Sequence, residues 1–598
     1  MAAADLATDS IVTVPEDGED LYDEEKAKAL ASDIWSRLED DAAFRKDNTR
    51  EAHWDQDWRF LRGKQWDGPM PSYRRPIKMN AWRRAHHAEL AVLLGGRPTL
   101  KLVPQGQIQE QVLKVWQDAL WAVVRKEQLF ETKAPDAYSW GLVGDGGWYK
   151  VGYGNWSAGS GEPADVLISA PHPGQIYPDK DCTDMSLVHC HHISFRDRLD
   201  LATITGRYAD QGWRVKADAS VSMKWGGESP AWTKEGVSTI GPSGGWTANN
   251  QYRRGMADVA ECWIDDASTE TVYESEIVNL GEMVDSWMAK MHGASFDEKA
   301  QLLGIGARDK PGFLGLLPRL TEKYGQSDIA PEVREVKKLR WSYPKGRVVT
   351  CTREVVLRDI PNPYAKAFNW AQRWPFVFVP GAVDPHTVWR PGLLSDMSDL
   401  QWGINKALSL LLENSIKVTN ALVVADESAM EEDEWDMLQL FPGVKIRKNQ
   451  GTDFNIVFPQ PLPPQAFQLP DYLIRKLEEA VGLQDPPIAP GQAVAAKTVA
   501  FMQQKGSFLL GIVAKGMDES LERLGSRVVG LMRDRYLPNR EIPFFEGENM
   551  AAGMMQKLPQ LPGSLQLRVE ATSAYQEQAQ TAQLMASAAE QARAERRR

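Results

Sequence analysis

The stretch Arg390-Pro-Gly-Leu-Leu-Ser-Asp-Met-Ser-Asp-Leu-Gln401 opens the part of the chain that decides the fold. From here apolar residues recur at intervals of three or four, which is the spacing of one face of an α-helix: Leu393, Met397, Leu400, Ile404, Leu408, Leu411 and Leu412. Ser395 is suited to cap the start of such a helix. The pattern predicts a helix within residues 391–420, and about 26 residues at 1.5 Å per residue would make it roughly 39 Å long.

A compact segment follows, at residues 421–464. It contains three strand-like runs, at 421–425, 444–448 and 455–458, around the acidic run Glu431-Glu-Asp-Glu434. Short apolar runs between turn residues are typical of strands. The segment therefore predicts a small α/β insertion.

Beyond the insertion, proline and glycine again punctuate helical patterns. A helix is predicted at 470–481, and the Pro-, Gly- and Ala-rich residues 482–497 predict an exposed loop. Residues 498–563 begin with a long helical pattern that ends near Tyr536. Residues 564–598 begin with a strand-like run and continue as an Ala-, Gln-, Glu- and Arg-rich tail that favours a marginal helix.

Upstream, residues 26–385 mix both kinds of pattern. Helical spacing dominates up to about Gln128, and residues 211–255, rich in Gly, Ser, Asn and Trp, predict a loop appendage. Strands are predicted where short apolar or alternating runs lie between glycines and prolines: 148–153, 165–170, 257–264 and 348–357. The chain is accordingly predicted to belong to the α+β class.

Composition limits the possible functions. At 598 residues the chain exceeds one hydrophobic core, so about two to five structural units are expected. Its longest apolar runs fall far short of the roughly 18 to 20 residues of a membrane span, and no membrane partner is expected. Four cysteines are too few for a disulfide framework and suit a reducing compartment. The net charge of −12 argues against tight retention of nucleic acid, so if DNA is a partner we expect it to pass rather than stay bound.

The N-terminal 25 residues hold nine Asp or Glu and no Lys or Arg, the reverse of a signal peptide. We expect an acidic flexible tail there. No G-x-x-x-x-G-K-[ST] sequence occurs, so a nucleic-acid-pumping ATPase of the usual type is not expected.

The sequence Asp179-Lys-Asp-Cys-Thr-Asp184 followed by His189-Cys-His-His192 gathers potential metal ligands in fourteen residues. The histidines lie in a predicted strand, 187–195, which would place His189 and His191 on one face. No C-x-x-C or H-E-x-x-H spacing accompanies them. A structural strand is therefore favoured over a metal site, and no catalytic residue, metal or cofactor is assigned.

The order of these segments resembles the portal protein of tailed bacteriophages. Particular residues carry the resemblance as well. Phe60-x-x-Gly-Lys-Gln-Trp66, with Arg75-Pro76, Asn80 and Arg97-Pro98, is similar to the N-terminal portal signature. The stretch from Arg390 to Gln401, with Asn405, is similar to the start of the portal stem.

The resemblance implies a portal fold with a wing, a helical stem, a small α/β clip and a C-terminal helical crown. Residues 1–25 would be the acidic tail and 26–385 the wing. The other parts follow by position: 391–420 and 470–481 as stem helices, 421–464 as the clip, 482–497 as the tunnel loop, 498–563 as the tunnel helix returning to the wing, and 564–598 as the crown.

The same resemblance implies functional positions, grouped by these parts. Candidates for the DNA channel and tunnel loop are Gln492, Lys497, Gln503, Gln504 and Lys505. Candidates for terminase or connector binding in the clip are Glu431, Glu432, Asp433, Glu434, Lys445, Arg447 and Lys448. Stem candidates are Asp396, Asp399, Asn405, Glu413, Lys417, Arg475 and Lys476.

The function implied is that of a non-enzymatic ring, dodecameric in the family, at one capsid vertex, through which double-stranded DNA is packaged and ejected. Partners would be the large terminase subunit, a head-to-tail connector or adaptor, the major capsid protein and scaffold. The subunit would assemble in the host cytoplasm and end in the virion.

Two alternatives remain open at this point. One is another virion protein, such as a head-to-tail adaptor or a minor capsid protein. The other is a metal-dependent nuclease that uses Asp184, His189 and His191.

Overall fold

The computed structural model describes most of the chain. The described residues are 24–66, 76–94, 98–154, 164–217, 255–277, 333–369, 372–382, 384–395, 397–419, 422–426, 433, 450–451, 453–457, 462–481, 496–537, 540–546, 549–560 and 566–572. Of the predicted segments, 1–23, most of the appendage and the tail beyond 572 lie outside these residues.

The described helices are mostly those that the apolar spacing predicts. They are α1 (Glu24–Asn48), α2 (Glu51–Leu61), α3 (Ala81–Leu94), α4 (Glu110–Lys126), α5 (Ala134–Val143), α6 (Leu201–Arg207), α7 (Ser398–Thr419), α8 (Leu469–Val481) and α9 (Ala496–Arg535). None of these helices combines the length and the apolar character that crossing a lipid bilayer requires.

The strands are short and pair in several small sheets. They are β1 (Thr99–Gln105), β2 (Gly147–Gly154), β3 (Asp165–Ser169), β4 (Ile176–Pro178), β5 (His192–Asp200), β6 (Met256–Ile264), β7 (Thr269–Ile277), β8 (Val333–Trp341), β9 (Arg347–Cys351), β10 (Val356–Pro361), β11 (Phe376–Val379), β12 (Leu422–Ala425), β13 (Phe454–Val457), β14 (Glu541–Glu546), β15 (Asn549–Lys557) and β16 (Gln566–Thr572). Mixed helices and strands agree with the predicted α+β class.

The chain divides into two compact units. The smaller unit, residues 265–347, contains the antiparallel pair of β7 and β8, which aligns Thr269 with Trp341. The larger unit comprises residues 1–264 and 348–598.

The core of the larger unit lies around the three-stranded sheet β11-β2-β3. Its strands are buried on both faces because α5 and α9 pack against them. Tryptophans fill this core: the ring centroids of Trp148 and Trp389 are 5.8 Å apart, and those of Trp54 and Trp140 are 5.7 Å apart. Much of the high tryptophan content therefore serves packing.

A five-stranded sheet, in the order β10-β9-β6-β5-β4, carries α1 on its surface. Arg45 near the end of α1 is buried and forms a double hydrogen bond with the buried Glu51 of α2, at 2.9 and 2.8 Å. Its guanidinium also donates to the carbonyl oxygens of Pro173 and Ile176. One buried cation thus joins α1, α2 and the start of β4.

Distant parts of the chain close a two-stranded ribbon. β1 pairs antiparallel with β16, with Thr99 opposite Thr572 and Gln105 opposite Gln566. The strand-like run predicted at the start of 564–598 is confirmed by β16. β1 was not predicted, because residues up to about Gln128 were interpreted as helical although Thr99-Leu-Lys-Leu102 alternates between polar and apolar side chains.

Several predicted boundaries are wrong. Helix α7 begins at Ser398, seven residues after Pro391, and Ser395 is not its N-cap. Ser395 lies in a turn where its hydroxyl donates to the carbonyl of Gly392 at 2.8 Å. The predicted strand 187–195 begins only at His192, because Leu187 adopts a left-handed φ of 61° within turns.

Candidate functional site

Helices α7 and α8 pack against each other and against α3. Their inner sides join the main core through buried Ile404, Leu477 and Val481. Elsewhere the two helices leave large apolar groups exposed. We call these residues the exposed apolar set: Trp402, Leu410, Leu412, Ile416, Leu469 and Tyr472.

A buried polar network fastens α7 to the segment that follows α2. The Gln401 amide nitrogen donates to the carbonyl of Met79 at 2.7 Å, and its amide oxygen accepts the backbone N–H of Trp82 at 2.9 Å. The Asn405 amide nitrogen donates to the Gln65 amide oxygen at 2.6 Å, and its own oxygen accepts the Met79 N–H at 3.0 Å. We call this set the amide network.

The amide network extends along α7 to Ser409 and back to the end of α2. The Ser409 hydroxyl accepts the Ile77 N–H at 3.0 Å. The Gln65 amide nitrogen donates to the Phe60 carbonyl at 2.9 Å, and the Asn80 side chain donates to the carbonyl of Leu61 at 2.9 Å. These bonds satisfy backbone groups at the end of α2 and before α3, where no helix supplies partners.

The amide network changes the interpretation of Asn405, a predicted stem residue. Asn405 is buried, and both ends of its amide are hydrogen-bonded. It therefore positions α7 against the segment that follows α2. Its partners Gln65 and Gln401 were not predicted as site residues, although Gln401 and Asn405 stand four apart on the otherwise apolar side of α7, which was a usable signal.

The other predicted stem residues lie at separate places. Asp399, Arg475 and Lys476 are exposed, and Glu413 is partly buried. Lys476 forms an ion pair with Glu479 at 2.6 Å, an interaction within one exposed helix turn. Asp396 and the Lys417 side chain lie outside the described residues.

The structure describes few of the residues predicted for the clip and the tunnel loop. β12 and β13 form an antiparallel pair that aligns Leu422 with Val457, and Asp433 is exposed. The remaining clip candidates and Gln492 lie outside the described residues. Helix α9 contains the other tunnel candidates, Lys497, Gln503, Gln504 and Lys505, whose side chains the structure does not describe.

The structure brings together only part of the predicted metal-ligand stretch: Asp179 and His192 are in the candidate group, whereas Asp184, His189 and His191 of the nuclease alternative are not. Asp184 instead accepts hydrogen bonds from the Ser186 N–H at 2.9 Å and the Val188 N–H at 3.4 Å, which stabilise a turn. His189 and His191 are exposed. Among the described residues, the group with metal-ligand spacing is Asp41, Asp179 and His192.

That group is held by hydrogen bonds. The His192 Nε2 lies 2.8 Å from an Asp41 carboxylate oxygen, while backbone N–H groups of Lys180 and His191 donate to Asp41 and Asp179. Burial raises the pKa of the Asp41 carboxyl, and the bond to His192 opposes that rise. The arrangement ties α1 to the residues before β5.

Helix α3 carries two buried ionisable groups next to the helix pair. The carboxyl of Glu89 has its pKa raised to about 7 by burial. Burial, with a smaller contribution from neighbouring His87, lowers the pKa of His86 to about 4. Glu89 Oε2 and His86 Nε2 have no hydrogen-bond partner within the described part of the chain. Both groups are therefore neutral over a window of mildly acidic pH.

Comparison with known families agrees with this architecture. The profile of the family described as phage P22-like portal protein matches residues 35–544, most of the chain. The chain therefore belongs to the phage P22-like portal protein family. No curated protein is similar enough to count as a match.

Family membership confirms the predicted portal function in phage DNA packaging. It implies a structural component of the virion capsid that forms a ring at the capsid vertex and interacts with DNA and terminase.

Proposed function

We propose that α7 and α8 are the stem of the portal subunit and that their exposed apolar set forms the contact between neighbouring subunits of the ring. The observation that carries this proposal is a division of α7 along its length. Its first turns are tied to the body by the amide network, whereas beyond them α7 presents apolar groups to water.

Isolated helices of this length are marginal in water and gain stability by burying apolar surface. The exposed apolar set includes aromatic and aliphatic groups of the kinds enriched in subunit interfaces. A ring requires a contact between two different surfaces that closes after a fixed rotation. The two helices offer such surfaces, and we propose that twelve copies close the ring.

The remaining parts follow in the same proposal. Residues 26–385 form the wing, 421–464 the clip that meets the large terminase subunit and later the head-to-tail connector, 482–495 the tunnel loop, and the segment beyond 572 the crown. The predicted loop, 482–497, is shortened because α9 begins at Ala496. The major capsid protein and scaffold contact the ring as it assembles in the host cytoplasm. The subunit itself carries no catalytic step.

The acidic character of the subunit supports a channel that lets DNA slide. Each Lys or Arg that neutralises a phosphate adds to the salt-dependent affinity for DNA. A net charge of −12 repeated around a ring keeps that affinity low. Lys497, Gln503, Gln504 and Lys505 then supply limited contacts at the tunnel.

The experiment is to measure the mass and symmetry of the purified chain by light scattering and electron-microscope class averages. We expect a ring with a central channel and twelvefold symmetry. A compact monomer that kept a stoichiometric metal ion would contradict the proposal and favour a metal-dependent enzyme.

Paired variants test the interface itself. Leu412→Glu with Ile416→Glu places charge within the exposed apolar set and is expected to convert rings into folded monomers. Leu537→Glu, at a side chain that is 77% exposed outside the helix pair, is the matched control and should leave rings intact. Rings that persist in the double variant at wild-type abundance would assign the contact to another surface.

A further inference from the structure

A pocket of about 530 Å³ opens where α9, the end of the β1–β16 ribbon and the turn after β10 meet. Its walls come from parts of the chain far apart in sequence: Gln105, residues 366–369, Gln372, residues of α9 from Glu522 to Arg533, and Arg568 with Val569. We call it the basic pocket.

The charge of the basic pocket is opposite to that of the chain. Lys366, Arg523, Arg533 and Arg568 line it, and Glu522 is the one carboxylate among its described lining residues. Four cations against one anion leave an excess of positive charge, in a chain whose net charge is −12. Fields from clustered charges in a concave surface raise the local concentration of counter-ions.

Close backbone packing builds the pocket floor. A Cβ atom at Gly530 would lie 2.5 Å from the carbonyl oxygen of Ala367, and one at Gly525 would lie 2.6 Å from a methyl of Val569. Glycine at both places lets the turn and β16 lie directly on α9. The floor is further filled by the buried side chains of Phe368 and Val529. The basic side chains therefore stand on a packed scaffold.

The contacts of the basic groups leave capacity for a ligand. The Arg568 guanidinium lies 4.0 Å from Glu522 and is 59% exposed, so this pairing is weak. Arg523 is held more firmly, since it donates to the carbonyl of Met185 at 3.3 Å and lies 3.4 Å from Glu519. Lys366 is exposed at the rim.

We propose that the basic pocket binds a phosphate group of the DNA backbone. Arginine presents planar donors that match phosphate oxygens, and the amides of Gln105, Asn369 and Gln372 add neutral donors at the same walls. Contacts of this kind position DNA without reading its sequence. The choice of DNA as the source of the phosphate rests on the portal function, whereas the affinity for phosphate rests on the pocket alone.

The test measures binding of a short fluorescein-labelled duplex to the assembled protein by anisotropy across about 50 to 200 mM salt. Lys366→Gln with Arg568→Gln is expected to weaken binding by about ten-fold and to make the slope of log affinity against log salt shallower by about 1 to 2. Lys46→Gln with Lys101→Gln, two exposed lysines that do not line the pocket, is the matched control for lost charge.

A variant that is expected to increase duplex affinity distinguishes an effect of the pocket from a general loss of stability. Glu522→Gln removes the pocket carboxylate and keeps an oxygen able to accept the Ala571 N–H, which now lies 3.3 Å from Glu522 Oε1. It is expected to tighten duplex binding and steepen the salt slope. Equal affinity and slope in wild type, the double variant and Glu522→Gln would overturn the proposal.

Further experiments identify which anionic ligand the basic pocket binds. Inorganic phosphate, compared with chloride at equal ionic strength, is expected to raise the thermal midpoint of wild type and not of the double variant. If phosphate does so while duplex binding is unchanged by the variants, DNA is overturned as the ligand. If deletion of residues 1–23 tightens duplex binding only when the pocket is intact, the acidic segment and the duplex compete for the pocket, which supports the DNA assignment. Ring formation, scored separately on the same samples, distinguishes these results from failure of the portal function.

Discussion

The Asn405 side-chain nitrogen lies 2.6 Å from the Gln65 side-chain oxygen, although 340 positions of sequence separate the two residues. Both side chains are buried, and each makes a second hydrogen bond to backbone, Asn405 with Met79 and Gln65 with Phe60. A buried polar group without a partner costs free energy, so this pair specifies one placement of α7 against the segment after α2.

Asn405→Ala is expected to lower the free energy of unfolding by about 1 to 3 kcal/mol, because it leaves the Met79 N–H without a partner and the Gln65 oxygen with only the 3.5 Å contact from Gln401. Denaturant unfolding measures the change. Arg475→Ala, at an exposed position of α8, should stay within about 0.5 kcal/mol. A double-mutant cycle with Gln65→Ala checks the pair directly, and strictly additive losses would contradict a coupled interaction.

Arg45→Met is expected to destabilise the fold by about 3 to 5 kcal/mol, since it leaves the buried Glu51 carboxylate unpaired. Arg37→Met on the same helix removes an exposed pair with Asp33 and should cost less than about 1 kcal/mol. Thermal and denaturant unfolding would measure both. Adding Glu51→Leu to Arg45→Met should restore part of the loss, and no recovery would argue against the unpaired charge as its cause.

Glu89 gives the fold a pH dependence that Glu89→Gln removes. The pKa of its carboxyl rises from 4.5 to about 7 on folding. The folded state therefore holds the proton more strongly, and this contribution is complete below pH 4.5 and is lost as the pH rises through about 7. The loss amounts to about 3 kcal/mol.

His86 acts in the opposite direction, because its pKa falls from 6.5 to about 4 on folding. Its contribution is present above pH 6.5 and is lost as the pH falls towards 4. Stability curves of wild type and Glu89→Gln between about pH 4 and 8 should thus diverge with rising pH, with exposed Glu25→Gln as control. Parallel wild-type and Glu89→Gln curves would show that Glu89 does not titrate in this way.

Gly530→Ala and Gly206→Ala are expected to change stability in opposite directions. A methyl at Gly530 would meet the Ala367 carbonyl, so backbone must shift at a cost of about 1 to 3 kcal/mol. A methyl at Gly206, in α6, meets nothing within 4 Å and should stabilise by about 0.5 to 1 kcal/mol. Thermal midpoints of the two variants provide the comparison. Equal shifts would contradict the close packing at Gly530.

Helical spacing predicted α8 and α9 almost to the residue, and strands β2, β3 and β6 nearly as well. The spacing of apolar residues is a local property of the sequence. It therefore predicts a helix or strand wherever that element buries one side. The start of α7 was placed too early because the apolar residues 393 and 394 belong to a turn that packs into the same core. Local pattern does not distinguish a buried turn from a first helical turn.

The contacts between residues far apart in the chain could not be predicted from the sequence. Gln65 and Asn405 each look like ordinary polar residues until the fold brings them together. The basic pocket is the same kind of feature, since Lys366, Arg523 and Arg568 come from three separate elements. Contacts across hundreds of residues leave no periodic signal.

The two strands of the β1–β16 ribbon are synthesised at very different times. Gln105 emerges from the ribosome long before its partner Gln566, and at about 5 to 20 residues per second the delay is roughly half a minute to one and a half minutes. Throughout that time β1 lacks its partner strand β16, and its backbone groups are open to pairing with a strand of another nascent chain. A chain cut short before Gln566 never closes it. β1 is therefore paired only after the residues of β16 have been synthesised.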